Sequence, residues 1–166
     1  MTRTLKITLC AVGILLASAC TSNSTQKPES YGSAPAAATP VVAASGPAGV
    51  AVAQNPLGQI LTDAHGRVLY LFEGDTGTTS ACVGECASHW PPLTTVGAPT
   101  AGTGVDAALL NASPRPDGTL QVTYNGHPLY YYDDDHDPGT TKGQGESAFG
   151  AKWYVLTPAG AKIDQD

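Results

Sequence analysis

The chain predicts a mainly β domain built from two degenerate tandem repeats, with antiparallel hairpins and at most one or two short helices. Three observations carry this. A short phrase is written twice, as Leu69-Tyr70-Leu71-Phe72-Glu73-Gly74-Asp75 and as Leu129-Tyr130-Tyr131-Tyr132-Asp133-Asp134-Asp135. At one constant offset Gly66 also answers Gly126, and after a small insertion Trp90-Pro91-Pro92-Leu93 is answered by Trp153-Tyr154-Val155-Leu156. Period-2 hydrophobic patterns and tight-turn signals dominate the rest, the signature of strands joined by hairpins. Finally, both central strands are apolar on both faces, so each is covered on both sides. A repeated unit implies that each copy needs the other to bury its core.

Taken from the N-terminus, Arg3 and Lys6 form a basic n-region and Ile7 to Leu16 a short apolar stretch. Ala17-Ser18-Ala19 then precede Cys20. This reads as an export signal over residues 1–19, too short for a permanent membrane span. Small residues followed by cysteine resemble the lipobox of bacterial lipoproteins, which implies that Cys20 becomes the acylated first residue of the mature chain. The formal net charge of −6 becomes −8 once Arg3 and Lys6 leave with no acid. An acidic module of this kind is a poor partner for nucleic acid or anionic lipid. The expected membrane contact is therefore the lipid anchor on the extracytoplasmic side of a bacterial cell envelope.

Residues 20–49 are Ala, Pro, Ser, Thr and Gly with hardly a large apolar side chain, a composition for a disordered tether. Residues 50–166 are long enough for one domain with a real core, with repeat 1 over about 57–96 and repeat 2 over about 118–160. Gln59 to Thr62 and Arg67 to Phe72 read as a hairpin across the turn Asp63-Ala64-His65-Gly66. Gly104 to Leu110 fits a short helix or a strand, and Ser113 to Gly118 is a turn by its chemistry. Thr119 to Tyr124 leads into the hairpin signal Asn125-Gly126, then His127 to Tyr132. Pro128 marks an edge or a strand start, since it has no N–H to give a ladder. A last pair, Trp153 to Leu156 and Ala161 to Ile163, flanks Thr157-Pro158-Ala159-Gly160.

Tyr-x4-Asp occurs twice, with Cys-x3-Cys-Ala and Trp-Pro-Pro-Leu after the first copy and Asp-Pro-Gly-Thr-Thr-x-Gly-Gln-Gly after the second. With these motifs the stretch from Asn55 to Gly160 resembles the secreted-repeat lipoprotein family that carries the Tyr-x4-Asp motif. That family's function is undetermined, so the resemblance supports export and repetition and names no substrate. Its motif residues map onto Tyr70, Asp75, Tyr130 and Asp135.

Four groups of residues are candidate sites. Cys82 and Cys86 are the two thiols left once Cys10 goes with the signal and Cys20 is acylated, and in an oxidising compartment their spacing suits a disulfide. The alternative adds His89 and makes Cys82, Cys86 and His89 ligands for copper(I) or zinc in a metal- or redox-linked accessory protein. Asp133, Asp135 and Asp137 imitate the start of a calcium loop, but Pro138 and Gln144 stand where Gly and Glu are required, which favours a solvated acidic turn. Tyr70 with Asp75 and Tyr130 with Asp135 suit structural clasps, each Asp accepting from the phenol or from turn amides. The weaker alternative is an enzyme using these pairs. His65 and His127, at nearly matching repeat positions, make a minor metal or haem alternative. No serine elbow and no His-Glu-x-x-His run is present. The expected function is thus a non-catalytic binding or structural module of the envelope with no cofactor, whose partner is an envelope protein or a small ligand.

Overall fold

A computed structural model describes residues 44–165. The signal peptide, Cys20 and the tether as far as residue 43 lie outside the described residues. Among the described residues no helix is long and apolar enough to cross a membrane.

Strand β1 (Gly49–Asn55) and β2 (Gly58–Asp63) form a hairpin in full register, Val50 opposite Asp63 and Asn55 opposite Gly58. The composition boundary at residue 49 thus falls inside a strand. The expected hairpin after β2 survives as little more than its turn. Asp63 and Arg67 share a backbone hydrogen bond and Thr62 bridges Val68, but the main partner of β2 is β1. The small side chains of Ala51 and Ala53 hid β1, because a strand signal relies on β-branched or aromatic residues. Next come β3 (Tyr70–Phe72), helix α1 (Glu85–His89), β4 (Thr94–Thr95) and β5 (Thr100–Ala101), the last parallel to β1.

The second half repeats the plan. Strand β6 (Leu110–Pro114) and β7 (Leu120–Tyr124) pair as β1 and β2 do, from Leu110 opposite Tyr124 to Pro114 opposite Leu120. The segment read as helix or strand from Gly104 is therefore turns that enter a strand only at Leu110. Asn125-Gly126 makes the predicted turn into β8 (His127–Pro128), both residues at positive φ, 48° and 83°. These angles match a type I′ hairpin, whose twist suits paired strands. Strands β9 (Ser147–Ala148) and β10 (Ala151–Val155) close the chain as a hairpin, and Leu156 bridges Lys162 across the expected last turn.

The two repeats interlock. The motif strand of the first copy, β3, pairs with the tryptophan strand of the second, β10, with Phe72 opposite Trp153 and Tyr70 opposite Val155. Reciprocally, the motif segment of the second copy lies beside the tryptophan segment of the first: the Tyr131 N–H donates to Pro91 O (2.8 Å) and Pro92 bridges Tyr130. Where the copies meet, Tyr70 and Tyr130 exchange both backbone hydrogen bonds, at 2.9 and 3.0 Å. Even the flanking bonds match, Glu73 N–H to Lys152 O and Asp133 N–H to His89 O, both 3.0 Å.

Two cores lie on the two faces of the motif strands, as the double-sided pattern requires. Leu69, Leu71, Leu129 and Tyr154 belong to one, with Val122, Tyr124 and Leu156. Val68, Tyr70, Phe72 and Tyr130 belong to the other, with Trp90, Trp153, Cys82 and Cys86. The fold is therefore several small, mostly antiparallel sheets joined by exchange between the repeats.

Candidate functional site

The motif pairs are crossed. Tyr70 donates its phenolic hydrogen to Oδ2 of Asp135 at 2.5 Å, and Tyr130 donates to Oδ2 of Asp75 at 2.9 Å. The expectation that each tyrosine meets the aspartate of its own copy is therefore corrected. The cause lies in the backbone: the Tyr70–Tyr130 bridge carries each phenol into the other repeat. The second oxygen of each aspartate does the expected turn work, Asp75 Oδ1 accepting from Ala81 N–H (2.7 Å) and Asp135 Oδ1 from Lys142 N–H (2.9 Å). Both carboxylates of the motif are thus engaged within the fold on both oxygens.

Burial raises the pKa of both aspartates above the ordinary carboxylate value, opposed by the tyrosine and amide bonds. Burial likewise pushes Tyr70 and Tyr130 well above the usual phenol range, so both keep their protons.

A buried cation supports one clasp. Arg115, 5 % exposed, donates to Ser80 Oγ (2.8 Å), Gln121 Oε1 (2.6 Å) and Cys82 O (2.8 Å). Ser80 Oγ lies 2.7 Å from the Tyr130 hydroxyl, and Gln121 donates to Leu129 O at 2.8 Å. A polar chain thus runs from Arg115 through Ser80 and Tyr130 to Asp75. Sequence reasoning missed Arg115, which reads as part of a proline-flanked surface turn. It also missed a third tyrosine–aspartate pair, in which Tyr131 donates to Asp63 (2.9 Å) beneath the Arg67 guanidinium, 4.0 Å from the ring.

Cys82 and Cys86 are joined as a disulfide, Cα atoms 5.2 Å apart. Both thiols that a copper or zinc site needed are consumed by that bond. His89 turns instead to Asp133, Nδ1 to Oδ2 at 2.9 Å. The metal alternative built on Cys82, Cys86 and His89 is therefore not the arrangement adopted. The acidic run does not converge either: Asp133 meets His89, Asp134 meets the Tyr132 hydroxyl (3.3 Å), and Asp135 points into the clasp. Among the described residues no group of three or more His, Cys, Asp or Glu side chains is placed to hold a metal ion.

His65 is exposed in the turn after β2, whereas His127 is half-buried and its pKa is lowered by burial. His127 lines a groove of about 460 Å³ with Leu71, Phe72, Glu73, Asp75 and Lys162. Lys162 bridges Glu73 (2.8 Å) and Asp164 (2.7 Å) at its rim.

A family model described as a secreted repeat of unknown function matches residues 51–94 and again residues 112–157. Each match takes in the paired strands ahead of the motif, so the repeated unit is a hairpin, a motif segment and a tryptophan segment, of which β3 and β10 are strands. No curated protein and no solved structure matches the chain.

Proposed function

From the premise that the chain belongs to the family of secreted repeats of unknown function, we propose that it is a non-catalytic binding or structural module of a bacterial cell envelope. In this reading residues 1–19 direct export, acylated Cys20 anchors the chain on the extracytoplasmic side, and a tether carries the repeat domain away from the membrane. One observation supports the non-catalytic role above the rest. Both oxygens of Asp75 and of Asp135 accept hydrogen bonds from within the fold, so the motif serves to join the repeats. The groove beside Asp75 and His127 is the place for a small ligand, and an envelope protein is the alternative partner.

Two acyl chains give stable anchoring where one gives only reversible binding. Replacing Cys20→Ser should abolish partition of the protein into a detergent phase; a variant that still fractionates with membranes sinks the anchor. For the module itself, Tyr70→Phe and Asp135→Asn should shift the denaturation midpoint. Loss of a catalytic activity at an unchanged midpoint would place the pair in an active site instead.

A further inference from the structure

Four rings stack through the middle of the second core. Phe72 lies on Trp153 (4.1 Å, 15°), Trp153 on Trp90 (3.9 Å, 6°) and Trp90 on Tyr132 (4.3 Å, 28°). The two motif phenols meet this column edge-on, Tyr70 against Trp90 (5.4 Å, 81°) and Tyr130 against Trp153 (5.2 Å, 87°). Packing alone favours offset or edge contacts with centroids roughly 4.5–7 Å apart. The two indoles, nearly parallel with centroids 3.9 Å apart, are close enough for their π orbitals to overlap. Such overlap spreads a missing electron over both rings and makes the pair easier to oxidise than either indole alone. Both indoles are buried, which shields an oxidised pair from water. Each phenol at its edge already donates its hydrogen to a carboxylate. Tyr132, half-exposed, brings the column to the surface.

We propose that this assembly is a one-electron relay, in which the Trp90–Trp153 pair is oxidised and the hole then settles on Tyr70 or Tyr130. The oxidant is a one-electron oxidant of the carbonate- or peroxyl-radical class, which takes one electron from the indole pair and becomes its anion. The phenol returns an electron to the indole radical cation and passes its proton to the carboxylate it faces, Asp135 for Tyr70 and Asp75 for Tyr130. A neutral phenoxyl radical and a neutral carboxylic acid remain. A reductant of the ascorbate or hydroquinone class supplies one electron through Tyr132, and the carboxylic acid returns the proton. The relay uses the clasp residues for a purpose beyond holding the repeats together, and it does not depend on the lipid anchor.

The test is transient absorption of the full chain after photochemical generation of tris(bipyridine)ruthenium(III). An indolyl radical cation should appear first and convert to a phenoxyl radical. Tyr132 belongs to the column and its hydroxyl also meets a carboxylate. The variants are therefore compared in a Tyr132→Phe background, where Tyr70→Phe/Tyr130→Phe should lose the conversion and the indolyl signal should persist. In Asp75→Asn/Asp135→Asn an amide oxygen still accepts the hydrogen bond but takes no proton, so conversion should slow on the order of 100-fold, the scale of a positioned proton acceptor. Tyr131→Phe is the control: its hydroxyl also faces an aspartate, but its ring packs against the other core, and the conversion should not change. Near-UV circular dichroism checks that each variant is folded, and the single variants, each reducing the phenoxyl yield, replace a double that is not. Phenoxyl formation at the rate and yield of the Tyr132→Phe background in the folded Tyr70→Phe/Tyr130→Phe or asparagine variants overturns the relay.

Discussion

At the scale of single residues, the crossing of the clasps makes a sharper prediction than their existence. Removing Asp75 or Asp135 with alanine strands a phenol and a turn amide and should cost about 1–3 kcal/mol, with asparagine costing less and Tyr→Phe falling near the low end. Double-mutant cycles should find coupling between Tyr70 and Asp135 and between Tyr130 and Asp75. A cycle on Tyr70 and Asp75, within one copy, should close near zero in urea denaturation, and strong coupling there would contradict the crossed bonds. Acid dependence follows from the same two carboxyls. Burial holds both above their ordinary value of 3.8, so just above that value the folded chain binds more protons than the unfolded one. Their contribution therefore rises as pH falls through the folded pKa and levels off below the unfolded one. Urea midpoints measured from neutral pH down into this window should show the Asp75→Asn/Asp135→Asn variant losing that gain relative to the wild type.

At the scale of elements, the loop after the second motif is fixed by one close approach. A Cβ on Gly143 would lie 2.7 Å from one atom of the Trp90 indole and 3.1 Å from the Tyr132 ring. Both rings are held in the column, so neither can move cheaply, and Gly143→Ala should cost about 1–3 kcal/mol as an overpacked core does. Thermal unfolding of that variant against Gly145→Ala, whose Cβ would meet open space at φ +72°, separates crowding from backbone strain. The elements also show where a linear reading works. The Asn125-Gly126 hairpin was legible because type I′ geometry is chosen by those two residues alone. The Cys82–Cys86 bond was legible from spacing and compartment. Strand β1 was not, because alanine alternation carries little strand signal, and Arg115 was not, because only the folded chain brings Ser80, Gln121 and Cys82 around it.

At the scale of the whole molecule, the repeat was plain in the sequence but the exchange between its copies was not. Matching phrases say that a unit is used twice; they do not say which copy supplies each partner. The outcome rests on the Tyr70–Tyr130 bridge, a contact between residues far apart in the chain. Because each motif segment takes its neighbour from the other copy, neither half can complete the pairing around its own motif, although the β2-β1-β5 sheet lies within the first half. Fragments cut in the connection between β5 and β6 should each be unfolded by circular dichroism and should regain strand signal when mixed; a half that folds alone as a monomer would contradict the interlock. The same crossing has a bearing on descent. A change at Tyr70 removes the partner of Asp135 and a change at Tyr130 the partner of Asp75, so a mutation in one copy is felt in the other. The two phrases are in that sense a single inherited character held in two places, free to diverge around the tyrosines and aspartates but bound to keep those four in step.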